Sequence, residues 1–198
     1  MESIRIIEKP EEISWDTIHD VLQKAHQVHF DAGIVMYTAT LTAEELEKRV
    51  VGSNGKCYVA MDDDTVVGTL SFIHKHFQRW YCQGESAELT LQGVLPSYQG
   101  RHIGTNMIKM CEKEIRKQEI NTICFDTAEQ NTIRIKMALK DQYRLVDYHY
   151  NNGHFSVELM KWMDQCPFSR IYCMLRYVLK RMKVHLVHAL KPYAKRIR

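Results

Sequence analysis

Apolar and polar residues alternate along Ser3 to Glu8, a period of two that predicts a short strand ended by Pro10. From Ser14 the period changes. Trp15, Ile18, Val21, Leu22, Ala25 and Val28 recur at helical spacing, which predicts a helix over 14–31 with Ser14 as its cap. Thr42 with Glu45 forms a capping box and starts a second helix that runs to about Val51. Residues 57–61 and 66–77 read as an antiparallel hairpin across the turn Asp62-Asp63-Asp64-Thr65. Residues 87–95 read as a further strand ended by Pro96, and Ile103, Met107, Ile108, Met110, Cys111 and Ile115 mark an amphipathic helix over 103–117. A strand at 122–126 and a helix at 131–140 follow, and then a hairpin of 144–150 with 154–163 across Asn151-Asn152-Gly153. This order predicts an α/β fold with a mixed, mostly antiparallel sheet flanked by helices.

Beyond residue 163 the pattern has another character. Pro167 suits the first turn of a helix, and Ile171, Leu175, Val178, Met182, Leu186 and Ala189 form one apolar stripe. Cys173, Tyr177 and Val184 fall off that stripe, as do Arg176, Lys180 and Lys183. Residues 164–198 hold nine Lys or Arg against the single acid Asp164, whereas the other 163 residues hold 18 basic and 23 acidic side chains. The net charge of +3 therefore hides an acidic domain, 1–163, and a basic amphipathic extension, 164–198. Three destinations suit the extension: a packed helix on the body or in a homodimer, an anionic membrane surface met through 167–198, or another acidic partner. Nucleic acid is not expected, because the charge is confined to the tail rather than spread over a groove.

The 198 residues, 45% apolar and 26% charged, suffice for one core without metal or disulfide staples. Six cysteines without a CxxC pair, and ten histidines without ligand spacing, point to reduced thiols and no metal site. No apolar run is long enough to span a bilayer, and the acid-bearing start MESIRIIEKPEE lacks a secretory core, so a cytoplasmic protein, peripheral at the inner membrane surface if the tail binds lipid, is expected.

The turn Gln99-Gly100-Arg101-His102-Ile103-Gly104 carries the first legible chemistry. A strand that stops at Val94-Leu95-Pro96 and re-enters a helix leaves backbone N–H groups facing the turn, which suits an anion, and Arg101 adds charge. The wider segment, from Ala87-Glu88 through Val94-Leu95-Pro96-Ser97-Tyr98 to Gly104, resembles the acetyl-CoA-binding core of the GNAT acetyltransferase superfamily. Residues 125–131 and 143–148 are similar to its second half, so the resemblance spans about 3–163. Departures occur at His102, where the family has a glycine, at Ala138, where many members have a tyrosine, and at Gln142, where a glycine precedes Tyr143.

The resemblance implies acetyl-CoA as co-substrate, held by Val94, Leu95, Gln99, Gly100, Arg101, His102, Ile103, Gly104, Thr105 and Asn131. It also implies Glu88 as base, although a strand glutamate is equally a salt-bridge partner. With Ala138 at the usual acid position, Tyr143, Tyr148 and Tyr150 are the substitutes, each also an ordinary packing residue. The implied activity is N-acetylation of a primary amine on a small molecule, an amino sugar or a peptide. A membrane-attached amino sugar would suit the tail. The acceptor cleft is expected from 14–31, 42–51 and 151–153, with Asp31, Glu45 and Glu47 as surface acids. The alternative is an acyl-CoA-binding regulatory or scaffold module without turnover.

Overall fold

The computed structural model describes residues 4–34, 36–151 and 153–194. Ser3, Asn152, Lys195, Arg196 and Arg198, which figured in the expected first strand, hairpin turn and basic tail, lie outside them. The chain forms two compact units, Met1–Ile123 and Cys124–Arg198.

In the first unit, β1 (Arg5–Glu8), β2 (Lys56–Asp62), β3 (Thr65–Arg79) and β4 (Cys82–Val94) pair in that order, each antiparallel to the next. α1 (Trp15–Asp31) starts where Ser14 Oγ accepts the Thr17 N–H, and α2 (Ala43–Val51) starts at the complete Thr42–Glu45 capping box. Together they bury Ile18, Val21, Leu22, Leu46 and Val50 against Val59, Ile73 and Leu91. α1 approaches β4 so closely that a Cβ at Gly93 would stand 3.0 Å from the Ala25 Cβ. α3 (Ile103–Lys117) covers the opposite face of these strands with the apolar set expected for it, apart from Met110.

β3 and β4 are longer than their apolar patterns suggest, meeting across Trp80-Tyr81. The polar residues Gln78-Arg79 and Gln83-Gly84-Glu85 hide this extension in the sequence, while buried Tyr81 and Cys82 hold it. β4 also contains a bulge. Thr69 pairs with Gly93 but Ser71 pairs with Thr90, so β4 carries one extra residue, and Leu91 takes a left-handed φ of 51°. A bulge reverses the inward and outward faces beyond it. Thr90 and Leu91 consequently both face α1 and α2, and Gln92 and Val94 turn toward α3.

The second unit contains most of β5 (Thr122–Ala128), then α4 (Thr132–Lys140), β6 (Arg144–Asn151), β7 (His154–Trp162) and α5 (Arg170–Ala194), with strand order β5-β7-β6. Pro167 precedes α5 rather than opening it; Ser169 Oγ accepts the Tyr172 N–H and sets the start. α5 packs along β6 through Cys173, Tyr177, Lys180, Val184 and His188, residues that mostly lie off the stripe identified from spacing. Tyr148, fully buried, meets Tyr177 edge-to-face and donates its hydroxyl to Glu129 Oε2 at 2.6 Å. Lys180 pairs with Asp147 at 3.2 Å and Arg181 with Glu129 at 2.5 Å. The stripe itself, Ile171 through Ala189, faces outward.

The bulge leaves the Gln92 carbonyl off the β3 ladder, and His26 Nε2 lies 2.9 Å from that oxygen. Burial lowers the His26 ring to about 4, so at neutral pH it is uncharged and donates from Nε2, while Nδ1 is buried without a partner. The unfolded chain therefore binds a proton first as pH falls. This contribution should be complete above about pH 6.5 and lost toward about pH 4, on the order of 3 kcal/mol in all. Urea midpoints measured across that window should fall more steeply for the native protein than for His26→Gln. Parallel curves would show that His26 does not carry the acid sensitivity.

Candidate active site

β4 carries Glu88, and its last residue, the turn after it and the first residues of α3 carry residues 94–105 of the expected set. The turn is braced from below. Leu95 N donates to the Val67 carbonyl at 2.9 Å, Gln99 Nε2 donates to the Val94 carbonyl at 3.0 Å, and Tyr98 donates its hydroxyl to Asp62 Oδ2 at 2.7 Å. The amide of Leu95 and the carbonyl of Val94 are thus engaged within the protein. Arg101 lies over the Tyr98 ring, 4.9 Å from its centroid, and donates to the Ser97 carbonyl at 3.2 Å. The guanidinium is held at the turn before any ligand arrives.

Two left-handed residues shape the approach to α3, Gly100 with φ 79° and His102 with φ 60°. Such alternation turns successive N–H groups to one side as an anion-binding concavity. His102 supplies no side-chain cap, so the N–H groups of Ile103, Gly104 and Thr105 have no partner from that side chain or from their own helix. Gly104 stands over them. A Cβ built there would meet only Gln92 Nε2 at 3.5 Å and Val94 Cγ2 at 3.8 Å, ordinary contacts, so packing does not demand a glycine. The Cβ position at Gly104 thus faces β4, and the amides at the start of α3 fit a phosphate of a nucleotide cofactor.

Glu88 is 8% exposed on the α2 side of β4, and both of its oxygens are occupied. Arg49 Nη2 donates to Oε1 at 2.7 Å and Lys75 Nζ to Oε2 at 2.5 Å, while Arg49 Nε reaches Thr90 Oγ1 at 3.3 Å. Sequence reasoning missed Arg49 and Lys75. Arg49 comes from α2, 39 residues away, and Lys75 is a diagonal neighbour on β3 that becomes legible only once the β3–β4 register is known.

The remaining expected residues belong to the second unit. Asn131 caps α4, its Oδ1 accepting the Arg134 N–H and its Nδ2 donating to Thr127 Oγ1 at 3.2 Å. Tyr143, 3% exposed, packs edge-to-face on Phe125 beside Lys161. Tyr148 lies under α5, and burial with the Glu129 hydrogen bond pushes its hydroxyl well up. Two of the three tyrosines expected as proton donors, Tyr143 and Tyr148, are therefore buried. Tyr150 is half exposed beside His188. Ala138, at the usual tyrosine position, is buried, and Gln142 takes the left-handed φ of 69° that a glycine would accept freely. Glu45 is spent on its capping box, and Asp31 accepts from Gln27.

The family model described as acetyltransferase (GNAT) family matches residues 15–142. The chain belongs to this family. A GNAT acetyltransferase from Staphylococcus aureus Mu50 is 15% identical, with a TM-score of 0.65 over 82% of this chain and 100% of that one. A GNAT acetyltransferase from Elizabethkingia anophelis with acetyl-CoA bound gives 15% identity and a TM-score of 0.60 over 82% and 99%. The PaiA N-acetyltransferase of Thermoplasma acidophilum in complex with coenzyme A gives 20% and 0.62 over 79% and 98%. A search of curated proteins found no match. These likenesses establish the α/β GNAT fold, with helices flanking mostly antiparallel strands.

For a GNAT enzyme the histidine at 102 changes stability while keeping the backbone conformation. A non-glycine residue in the left-handed region costs about 1–2 kcal/mol, which exceeds the extra chain entropy that glycine loses on folding. His102→Gly should raise stability by roughly 0.5–1 kcal/mol. Chemical denaturation measures it, and a loss of stability would mean that the imidazole holds the turn by contacts of its own.

Proposed function

We propose that this GNAT enzyme transfers the acetyl group of acetyl-CoA to a primary amine, with the amides of Ile103, Gly104 and Thr105 receiving the pyrophosphate. The observation that carries this reading is the uncapped start of α3, entered through the left-handed residues Gly100 and His102, with Arg101 already positioned. Those groups fit the diphosphate of a CoA molecule, which supplies an activated acyl thioester. The chain's own residues then bind and orient that donor and manage the acceptor's proton.

Glu88 is the proposed base, acting through a water molecule at its edge. Its surroundings tune the acceptor as well. Arg49, Lys75 and Glu88 together carry one net positive charge, and a nearby positive charge favours the neutral, nucleophilic form of an amine. The same charge favours acceptors that carry an anionic group beside the amine, such as a sugar phosphate or an amino acid. No acid is assigned to the departing thiolate: Tyr143 and Tyr148 are committed to packing, and a CoA thiolate leaves without one. Asn131 acts as a positioning residue that fixes the first turn of α4. The protein is proposed to work in the cytoplasm.

A second reading, acyl-CoA binding without turnover, is favoured by the occupation of both Glu88 oxygens. Two measurements separate the readings. CoA at a hundred times its Kd should stabilise the folded protein by about 2.7 kcal/mol, seen as a rise in Tm. No rise in a folded sample would remove both readings. Thiol release from acetyl-CoA should then be found with at least one amine in a panel of amino sugars, amino acids and peptides, and Glu88→Gln should lower kcat by about 10² to 10⁴ fold while leaving CoA binding unchanged. CoA binding with no thiol release from any amine would establish the second reading. Full activity in Glu88→Gln would assign the proton to another group.

A further inference from the structure

α5 packs on β6 with the face made by Cys173, Tyr177, Lys180, Val184 and His188, and this leaves its opposite face without any cover among the described residues. That outer face is wholly apolar. Ile171, Leu175, Val178, Met182 and Leu186 are between 42% and 73% exposed, and Leu179 and Leu190 widen the strip. A soluble monomer rarely leaves so long an apolar strip open unless something binds it.

The charges around the strip say what binds. Arg176 and Lys183 lie along one margin at helical spacing, with Arg170 along the other beside an Arg181 already paired with Glu129, and residues 165–198 contain no Asp or Glu. A groove of about 330 Å³ beside the same helix is lined by His149, Tyr150, Val184, Val187 and His188, with Lys183 at its edge and Lys180 already paired with Asp147. A second copy of the chain fits poorly, because a two-fold pairing of this face would set basic margin against basic margin with no acid on the helix to offset them. A surface that is apolar below and anionic above matches both features. No helix among the described residues is long and apolar enough to cross a membrane, so α5 would lie in the interface plane.

We propose that the outer face of α5 docks the enzyme on an anionic lipid surface, with Ile171, Leu175, Val178, Met182 and Leu186 entering the acyl boundary and Arg176 and Lys183 meeting headgroup phosphates. This reading is independent of acetyl transfer, since lipid binding is read without turnover. The test is co-sedimentation of the full chain with vesicles of mixed phosphatidylglycerol and phosphatidylcholine, and with phosphatidylcholine alone, at low and high salt. Binding should require the anionic lipid and weaken with salt. Arg176→Gln with Lys183→Gln should lower the partition coefficient about thirtyfold, since each cation near such a surface contributes about fivefold. Met182→Glu with Leu186→Glu should lower it more than about tenfold. Both substituted pairs are at exposed positions, so an unchanged Tm separates lost docking from lost folding. Equal recovery with anionic and neutral vesicles, or with native and substituted protein, would overturn the proposal. So would a dimer in sedimentation velocity that Met182→Glu dissolves, because a second copy would then be the occupant.

Discussion

Leu91 holds a backbone conformation that costs an L-residue about 1–2 kcal/mol, and the candidate site follows from that one distortion. Without the extra residue in β4, alternation would carry Leu91 away from the α1–α2 core and turn Gln92 into it. With the bulge, Thr90 and Leu91 share a face, Gln92 and Val94 turn to α3, and the strand ends in the orientation that feeds the turn at 96–102. The distortion is held from both sides. Leu91 is 1% exposed in the core cluster, and His26 meets the carbonyl of Gln92, so straightening the strand would uncover apolar surface and orphan a buried imidazole. Such strain persists only where the surrounding structure over-determines it.

Most elements were legible because their signals are local. Ser14, the Thr42–Glu45 pair and the apolar spacing of 103–117 each act within a turn or two, and the structure places these helices where those residues put them. The bulge left no such mark. Leu89 and Leu91 keep a period of two that reads as one uninterrupted face, and no glycine sits at the left-handed position. Arg49 and Lys75 were illegible for a related reason, since they reach Glu88 through tertiary packing and strand register. The motif identified the carboxylate, but only the fold discloses the two cations that set its charge environment.

The C-terminal helix shows how periodicity can be right and its assignment incomplete. The stripe from Ile171 to Ala189 is real, yet the packing against β6 uses Cys173, Tyr177, Lys180, Val184 and His188. Aromatic contact and neutralised charge do the work there, with Lys180 answering Asp147 and Arg181 answering Glu129 at the edge of Tyr148. Removing the whole helix would therefore uncover a buried tyrosine and strand two carboxylates, whereas changes on its outer face leave those contacts intact. Lys180 and Arg181 are consumed in this way, and the charge left beside the apolar face is correspondingly smaller than the sequence count suggests.

The departures from the family pattern differ in physical meaning. At residue 102 the glycine is lost but its conformation is kept, because histidine is among the residues that tolerate the left-handed region and the following amides need no side chain to face a ligand. At residue 142 glutamine likewise keeps a left-handed conformation in place of the glycine. At residue 138 what changes is a functional group: alanine keeps the helix and its packing but carries no proton. Backbone geometry thus survives substitution at a cost of about a kilocalorie per mole, whereas acid chemistry cannot be recovered from shape. On the proposed reading, an enzyme with this combination keeps its means of holding an acyl donor, and its rate would depend on how readily the acceptor amine becomes neutral beside Arg49 and Lys75.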